Sequence, residues 1–568
     1  MKNTVLRLVL MAIVAGVSLP ITAHASDEDL QRKIERLTKE VEELKGTVKK
    51  VDDKSIGKWL TIGGDFRFRV DSLHGETVGY TNAPAFMGAL QKDPATAGFF
   101  ATAGAQTLLS TKSYSGVAGL TPNAMMGNLV GYLMATNPGA YPNTPAGQAA
   151  AQAKLQQIGG GAFVPAYKPQ NETLYTNKFG LNLHAKATQD VTVTVKLDMY
   201  KTFGSQNDEQ VTGNFFADRV GVFDGTLSHI PSSSLLNVDR AYATWSNIAD
   251  QPIWFSVGRR PSTNGAPTNL KLNNERPGNG GTPALLVDYA FDGMTLGWAP
   301  DIEMLPGAYA KVCYGRGFDS GIKTTTNSIK DTDMLGVAII PIDTDPLRIW
   351  MQWNRGFNIF DFPAMQNTAA FGTTAPSVNL GDIDWYGAGA MSTIKNVGPG
   401  NLNFFTDFGV SVTHPNNSVS ANAGFQGLMT GAFLAPEAPT SKTGWAVYAG
   451  FRYDLPSKTK IGFEYNHGSK DWITFAPAAD DMWTSKVGTR GSVYEPYIIQ
   501  ELNLKPISSY LSKAFFKVGY QYYDFEYTGS NNWVGAPKKI SEIQPGDLML
   551  LTPLKVAHDV YATFEVHF

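Results

Sequence analysis

Charged residues recurring at every second position are the chemistry this chain offers. In Leu60-Thr-Ile-Gly-Gly-Asp-Phe-Arg-Phe-Arg-Val-Asp71, Asp65, Arg67, Arg69 and Asp71 fall on one face, and Leu60, Ile62, Phe66, Phe68 and Val70 on the other. Successive side chains of a strand point to opposite sides. A soluble core would reject the charged face, whereas a water-filled lumen accepts it. The same alternation gathers basic Lys186, Lys196, Arg240, Arg348, Arg452 and Lys517, and acidic Asp198, Asp384, Asp407, Glu464 and Glu565. Basic rings favour anions, so the chemistry is ion selection in a pore: a modest anion lean, set against a mixed, ion-paired wall. Catalysis finds no such footing. The eight His are scattered, and no Gly-x-Ser-x-Gly, His-Glu-x-x-His or phosphate-cradling loop appears. Cys313 is alone, which excludes a disulfide framework, a cysteine metal cluster and a covalently attached haem. It shares a strand face with Lys311 and reads as an inert thiol looking into the lumen. No cofactor is expected.

Composition narrows the elements that hold these faces. The chain has 568 residues, with 57 Gly, 23 Tyr and 31 Phe. After the N-terminus it has no apolar run of the roughly 20 residues a membrane helix needs. A transmembrane barrel needs none, because lipid-facing and lumen-facing residues alternate. The net charge of -3 gives no reason to expect a nucleic-acid partner.

Residues 1–25 read as a secretory signal, with Lys2 and Arg7 ahead of a short apolar segment and Ala23-His24-Ala25 as the cleavage site. Across 26–53, Leu30, Ile34, Leu37, Val41, Leu44, Val48 and Val51 recur four and three apart, a coiled-coil seam. A homo-oligomer through 30–51 follows. The β-branched a positions lean toward two strands, whereas porin barrels usually associate as trimers, so the number stays open.

From 59 to 568 the pattern predicts an all-β, antiparallel transmembrane barrel of about 16 strands. They lie near 60–71, 180–187, 191–201, 238–246, 252–259, 284–291, 307–315, 334–342, 347–356, 382–392, 402–413, 443–454, 459–468, 495–505, 513–526 and 558–568. The connections between them alternate short and long, as the periplasmic turns and external loops of outer-membrane barrels do. Phe291-Asp-Gly293 reads as one of the short turns. The chain closes on Val560-Tyr-Ala-Thr-Phe-Glu-Val-His-Phe568, where Phe564, Val566 and Phe568 share the apolar face. This terminal strand and the Gly-Asp-x-Arg-x-Arg first strand after an exported coiled coil resemble outer-membrane porins. With Arg240-Ala-Tyr242, Gly258-Arg-Arg-Pro261 and Val287-Asp-Tyr-Ala-Phe-Asp-Gly293, the chain is similar to an uncharacterised family of outer-membrane channel proteins from metal-reducing, Geobacter-type bacteria.

The resemblance implies a place in the Gram-negative outer membrane, with lipid and the barrel-assembly machinery as partners. It implies a passive channel for small hydrophilic solutes or ions, or else a scaffold sheathing or docking exported multihaem cytochromes. One stretch breaks the pattern. Residues 72–178 are far longer than an ordinary loop, with short helices expected over 123–135 and 146–158, and form either an external cap or a plug folded into the pore.

Overall fold

In the computed structural model, the described residues are Thr38 and 59–568, less 206–214, 221–232, 263–264, 275–282, 326–328, 363–364, 369–371, 477, 479–480 and 506–511. The export segment 1–25 and the heptad helix 26–53 lie outside them, apart from Thr38, which is helical.

Alternating faces leave one arrangement in which neither sheet edge stays unpaired, and the described strands adopt it: a closed, antiparallel, sixteen-stranded barrel. The strands are β1 (Leu60–Thr77), β2 (Gln170–Lys186), β3 (Val191–Thr202), β4 (Ser233–Trp245), β5 (Ile253–Ser262), β6 (Tyr289–Trp298), β7 (Tyr309–Phe318) and β8 (Thr332–Asp343). They continue as β9 (Leu347–Phe360), β10 (Asn379–Val397), β11 (Gly400–Pro415), β12 (Thr443–Asp454), β13 (Thr459–Gly468), β14 (Gly491–Glu501), β15 (Lys513–Phe525) and β16 (Leu554–His567). Closure is made where the sequence placed it. Phe66 pairs with Val566 and Phe68 with Phe564, and Gly64 and Phe568 exchange backbone hydrogen bonds of 2.8 and 2.9 Å.

Two strands differ from expectation. The predicted 284–291 strand is Tyr289–Trp298, so Phe291-Asp-Gly293 lies inside β6 rather than at a turn. A Cβ on Gly293 would meet the Tyr314 carbonyl oxygen at 2.0 Å. The glycine thus serves a close approach by β7. The predicted 495–505 strand runs four residues earlier, as Gly491–Glu501.

The outward face carries an apolar belt. Leu236, Leu296, Ile498 and Val518 are each more than half exposed, and Val257, Met294, Val312, Ile339, Met351, Phe408 and Phe516 continue the belt around the wall. Trp245 and Trp298 stand outward at the short-turn end. Trp254 does not join this girdle, because its indole packs inward over Gly297. Toward the long loops, on β5–β11, the belt stops at ion pairs on the same outward face: Arg259–Asp292 at 2.7 Å, Arg316–Asp333 at 3.0 Å and Arg355–Asp384 at 3.1 Å.

The long excursion spans 78–169, shorter than the 72–178 expected, because β1 and β2 run past the barrel rim. It holds five helices: α1 (Ala83–Lys92), α2 (Ala97–Phe100), α3 (Ala103–Ser110), α4 (Pro122–Thr136) and α5 (Pro145–Gly160). Both expected helices are present. Each opens on a Thr whose hydroxyl accepts an amide hydrogen bond, with Pro in the first turn. Their buried residues, among them Leu129, Leu133 and Leu155, pack with Val419, Phe425, Phe433 and Leu434 of the 416–442 loop. Among the described residues no barrel-strand residue belongs to that cluster, so the apolar core of the insert is shared with a long loop.

Candidate functional site

The lumen face carries nearly all the charges that alternation assigned to it, and most of them are buried. Arg69 is 2% exposed and Glu464 1%. Several of the long connections turn inward. Leu285, Leu286, Trp472, Ile473, Phe475 and Trp533 from the loops meet Trp385, Phe405 and Tyr448 from the strands in one apolar cluster. The indole N–H groups of Trp385, Trp472 and Trp533 donate to the carbonyls of Ile473, Val487 and Phe360 at 2.7–2.9 Å, so burial leaves none of them unsatisfied. The expected water-filled lumen is therefore occupied by the chain's own loops.

Below that cluster, residues 265–274 cross the barrel interior. Ala266 packs with Ala338, Ile340 and Trp350 of β8 and β9. A few residues on, the Leu270 carbonyl accepts from Arg452 of β12 at 2.6 Å, and Lys271 reaches Glu495 of β14 at 2.6 Å. Asn273 donates to Glu501 at 2.9 Å and accepts from Lys460 at 2.6 Å, near the short-turn end. This strut joins two opposite walls.

The predicted pore residues sort into clusters around it. Arg69 lies between Asp71 (2.6 Å) and Asp559 (3.0 Å). Arg67 donates to the Tyr200 hydroxyl at 3.1 Å, and Lys196 links Asp65 (3.6 Å) and Asp198 (3.3 Å). Arg452 grips Asp454 through two nitrogens, at 2.7 and 2.8 Å. Lys517 pairs with Glu565 at 2.9 Å. Glu464 accepts from Tyr448 at 2.7 Å and pairs with Lys486, which also reaches Glu495 at 2.5 Å. Burial works against the charge on Lys486, but Glu464 and Glu495 outweigh it and hold the ammonium well above its ordinary range.

Other candidates stand apart. Arg240 pairs with its neighbour Asp239 at 2.8 Å. Arg348 binds Asp343 (3.1 Å) and the Tyr309 hydroxyl (3.0 Å). Asp407 accepts from the Trp350 indole at 3.2 Å. Lys186 is exposed at the end of β2, beside the turn. Asp384 is on the wrong face for a pore: it sits outward with Arg355 and His414, because β10 presents Trp385 to the interior. Phe564 and Phe568 face outward, their rings beside Phe516 and Phe179.

Alternation could not supply the loop-borne partners Lys271, Asp481, Lys486 and Arg490. Arg490 donates to the carbonyls of Trp472, Gly529 and Asn532 at 2.7–2.9 Å and locks two loops together. One signal was available. Trp472-Ile-Thr-Phe475 is an apolar word in a stretch read as an external loop, and such a stretch seeks burial; Leu285-Leu286-Val287 reads instead as the start of a strand. Among the described residues no group of His, Cys, Asp and Glu is arranged to hold a metal ion.

Several solved barrels are similar at a distance. OprB of Pseudomonas putida, in its high-pH structure, is 9% identical, with 90% of this chain and 95% of that one covered at a TM-score of 0.39. An anion-selective porin from Comamonas acidovorans is 10% identical, with 90% and 99% covered at 0.37. Outer-membrane expressed OmpT of Vibrio cholerae is 10% identical, with 89% and 98% covered at 0.35. Likeness at these scores carries no argument about what this chain does. No curated protein matches it. Residues 168–568, the whole barrel wall except β1, match a family described as protein of unknown function, DUF3373, and the chain belongs to that family.

Proposed function

We propose that the protein is an outer-membrane channel for small hydrophilic solutes or ions, held closed by its own loops. The observation that supports this reading is the contrast between the two faces of one wall. An apolar belt that includes Leu236, Leu296, Ile498 and Val518 faces out, while Arg69, Lys196, Arg452, Glu464 and Lys517 face in. A contiguous apolar surface of that extent belongs in lipid. A charged interior is of use where ions must pass. In this reading the short turns are periplasmic, the segment 1–25 directs export, and the coiled coil over 30–51 sets a homo-oligomer on the periplasmic side. Phe564, Val566 and Phe568 present the closing strand to the barrel-assembly machinery. Deleting Phe568 should reduce the heat-modifiable barrel recovered from the outer membrane, and unchanged recovery would remove that role.

The anion lean finds little support on the side formed by β12–β16 and β1, where Arg69, Arg452 and Lys517 each face a carboxylate. A sheath for exported cytochromes needs an open lumen, so the loops inside this one favour the channel. Planar-bilayer recording of the full-length protein tests the reading. The native chain should conduct rarely, and a variant with 265–282 replaced by a short Gly-Ser linker should give long open events. A correctly folded linker variant that stays silent would show that no ion path runs through the barrel.

A further inference from the structure

On the wall opposite the strut's salt bridges, the lumen face is built from small residues. Ser256, Thr295, Cys313, Gly336 and Asn354 are neighbours in register across β5 to β9. A Cβ on Gly336 would come within 2.4 Å of the Asn354 side-chain oxygen, so glycine here keeps a recess open. The recess is a cavity of about 30 Å3 beside Val287 and Met334 of the apolar cluster. That is more than the roughly 10–15 Å3 one water requires.

Its lining is rich in hydrogen-bond donors and lacks acid. Arg260 and Lys311 bring two positive charges, and no described Asp or Glu lines the cavity. The Arg260 guanidinium lies over the rings of Tyr242 (5.8 Å) and Trp254 (5.7 Å), and its buried Nε has no hydrogen-bond partner. Gln352, 6% exposed, has neither its amide nitrogen nor its oxygen bonded; the Asn354 amide nitrogen and the Thr295 hydroxyl are also without partners. Buried polar groups normally find partners, and leaving several unpaired in one place is costly. Aromatic rings steady a guanidinium without neutralising it. A cation supported in this way, beside free amide and hydroxyl donors, calls for a negative partner.

We propose that this recess is a binding site for a small monovalent inorganic anion of halide or nitrate size. The anion would be held by Arg260, Lys311, the Gln352 and Asn354 amides and the Thr295 hydroxyl. Size excludes a phosphorylated metabolite or a sugar. The single charge follows from the room available and from the neutral character of most of the donors. The inference does not require the barrel to conduct, because a closed barrel can bind an ion that reaches it by slow exchange.

Cys313 is the chain's one cysteine and lines the cavity, so it reports on the site in the native protein. In detergent-solubilised full-length protein, an anionic methanethiosulfonate should modify Cys313 at least several-fold faster than a cationic one of similar size. Sodium nitrate should slow both reactions relative to sodium gluconate at equal ionic strength. Arg260→Gln should bring the two rates together and abolish nitrate protection, while Arg260→Lys should restore part of each. Gln352→Leu keeps the volume and the charge, so it should weaken nitrate protection but preserve the rate ratio; it serves if Arg260→Gln loses the heat-modifiable barrel. Equal rates for the two reagents, or protection that survives both variants, would overturn the proposal. In crystals grown in sodium bromide, an anomalous peak within hydrogen-bond reach of Gln352 and Asn354 is expected, and bromide elsewhere but not there would also overturn it.

Discussion

On the side of the lumen formed by β12–β16 and β1, the buried charges meet opposite charges, whereas around the recess on β5–β9 the Arg260 guanidinium lies over aromatic rings and several neighbouring polar atoms have no hydrogen bond. Glu495 is contacted by both Lys271 and Lys486, and Arg69 lies between two aspartates. Across the barrel, the Arg260, Gln352 and Thr295 side chains include buried atoms with no hydrogen bond. Both sides are buried and both come from the same alternation. The difference lies in what the loops bring: 265–274 and 469–490 carry Lys271, Asp481 and Lys486 to the first side, while no described Asp or Glu lines the recess on the second. One side is an anchor for the strut. The other keeps its binding capacity in reserve.

The sharpest way to break this contrast is to remove the centre of the anchored side. Lys486→Met should cost about 3–5 kcal/mol, because it leaves the buried Glu464 without its cation and removes one of the two that hold Glu495; unfolding of the full-length protein in detergent against urea measures it. A loss under about 1 kcal/mol would mean that water reaches these carboxylates and solvates them. Arg452→Ala should cost less, about 1–3 kcal/mol for charge-assisted bonds to Asp454 and the Leu270 carbonyl. It should also raise the open probability in bilayers, since one end of the strut is released. The smallest effect is expected across the barrel. Gln352→Leu should lie within about 1 kcal/mol of the native protein, and on the stabilising side in anion-free buffer, because it removes donors that have no partner to lose. A cost as large as that of Lys486→Met would show the two sides to be equivalent after all.

Much of the barrel was legible, and for a reason. Residues 60–71 repeat with period two under strong constraint, since a slip of one residue would put Arg67 into lipid and Phe66 into the lumen. The alternation of short and long connections, and α4 and α5, follow from equally local rules of capping and spacing. What alternation could not reveal is anything set by distance in sequence. Asp292-Gly293 satisfies a turn rule, yet its glycine answers to Tyr314 on the next strand. Asp384 has the chemistry of a lumen residue, but its neighbour Trp385 takes the inward position. Lys271 and Lys486 sit in stretches with no period at all, and their place in the lumen is decided by the apolar residues beside them. The charged residues were found, but their partners were not, and the partners turn a ring of charges into a closed structure.

The base of the helical insert has a consequence of a different kind. Tyr80–Asn82 pairs antiparallel with Phe163–Val164 and parallel with Leu548–Met549, and Tyr80 stands directly opposite Val164. The points where the chain leaves for the insert and returns from it are therefore adjacent, so everything between them hangs from a single stem. Such a stem is a socket: a sequence of another length or fold could be spliced there without disturbing the strand register on either side. Such a replacement must still shield Val419, Phe425, Phe433 and Leu434, which the present insert covers. Exchanging the insert at this stem should therefore leave the register of the wall beneath it unchanged.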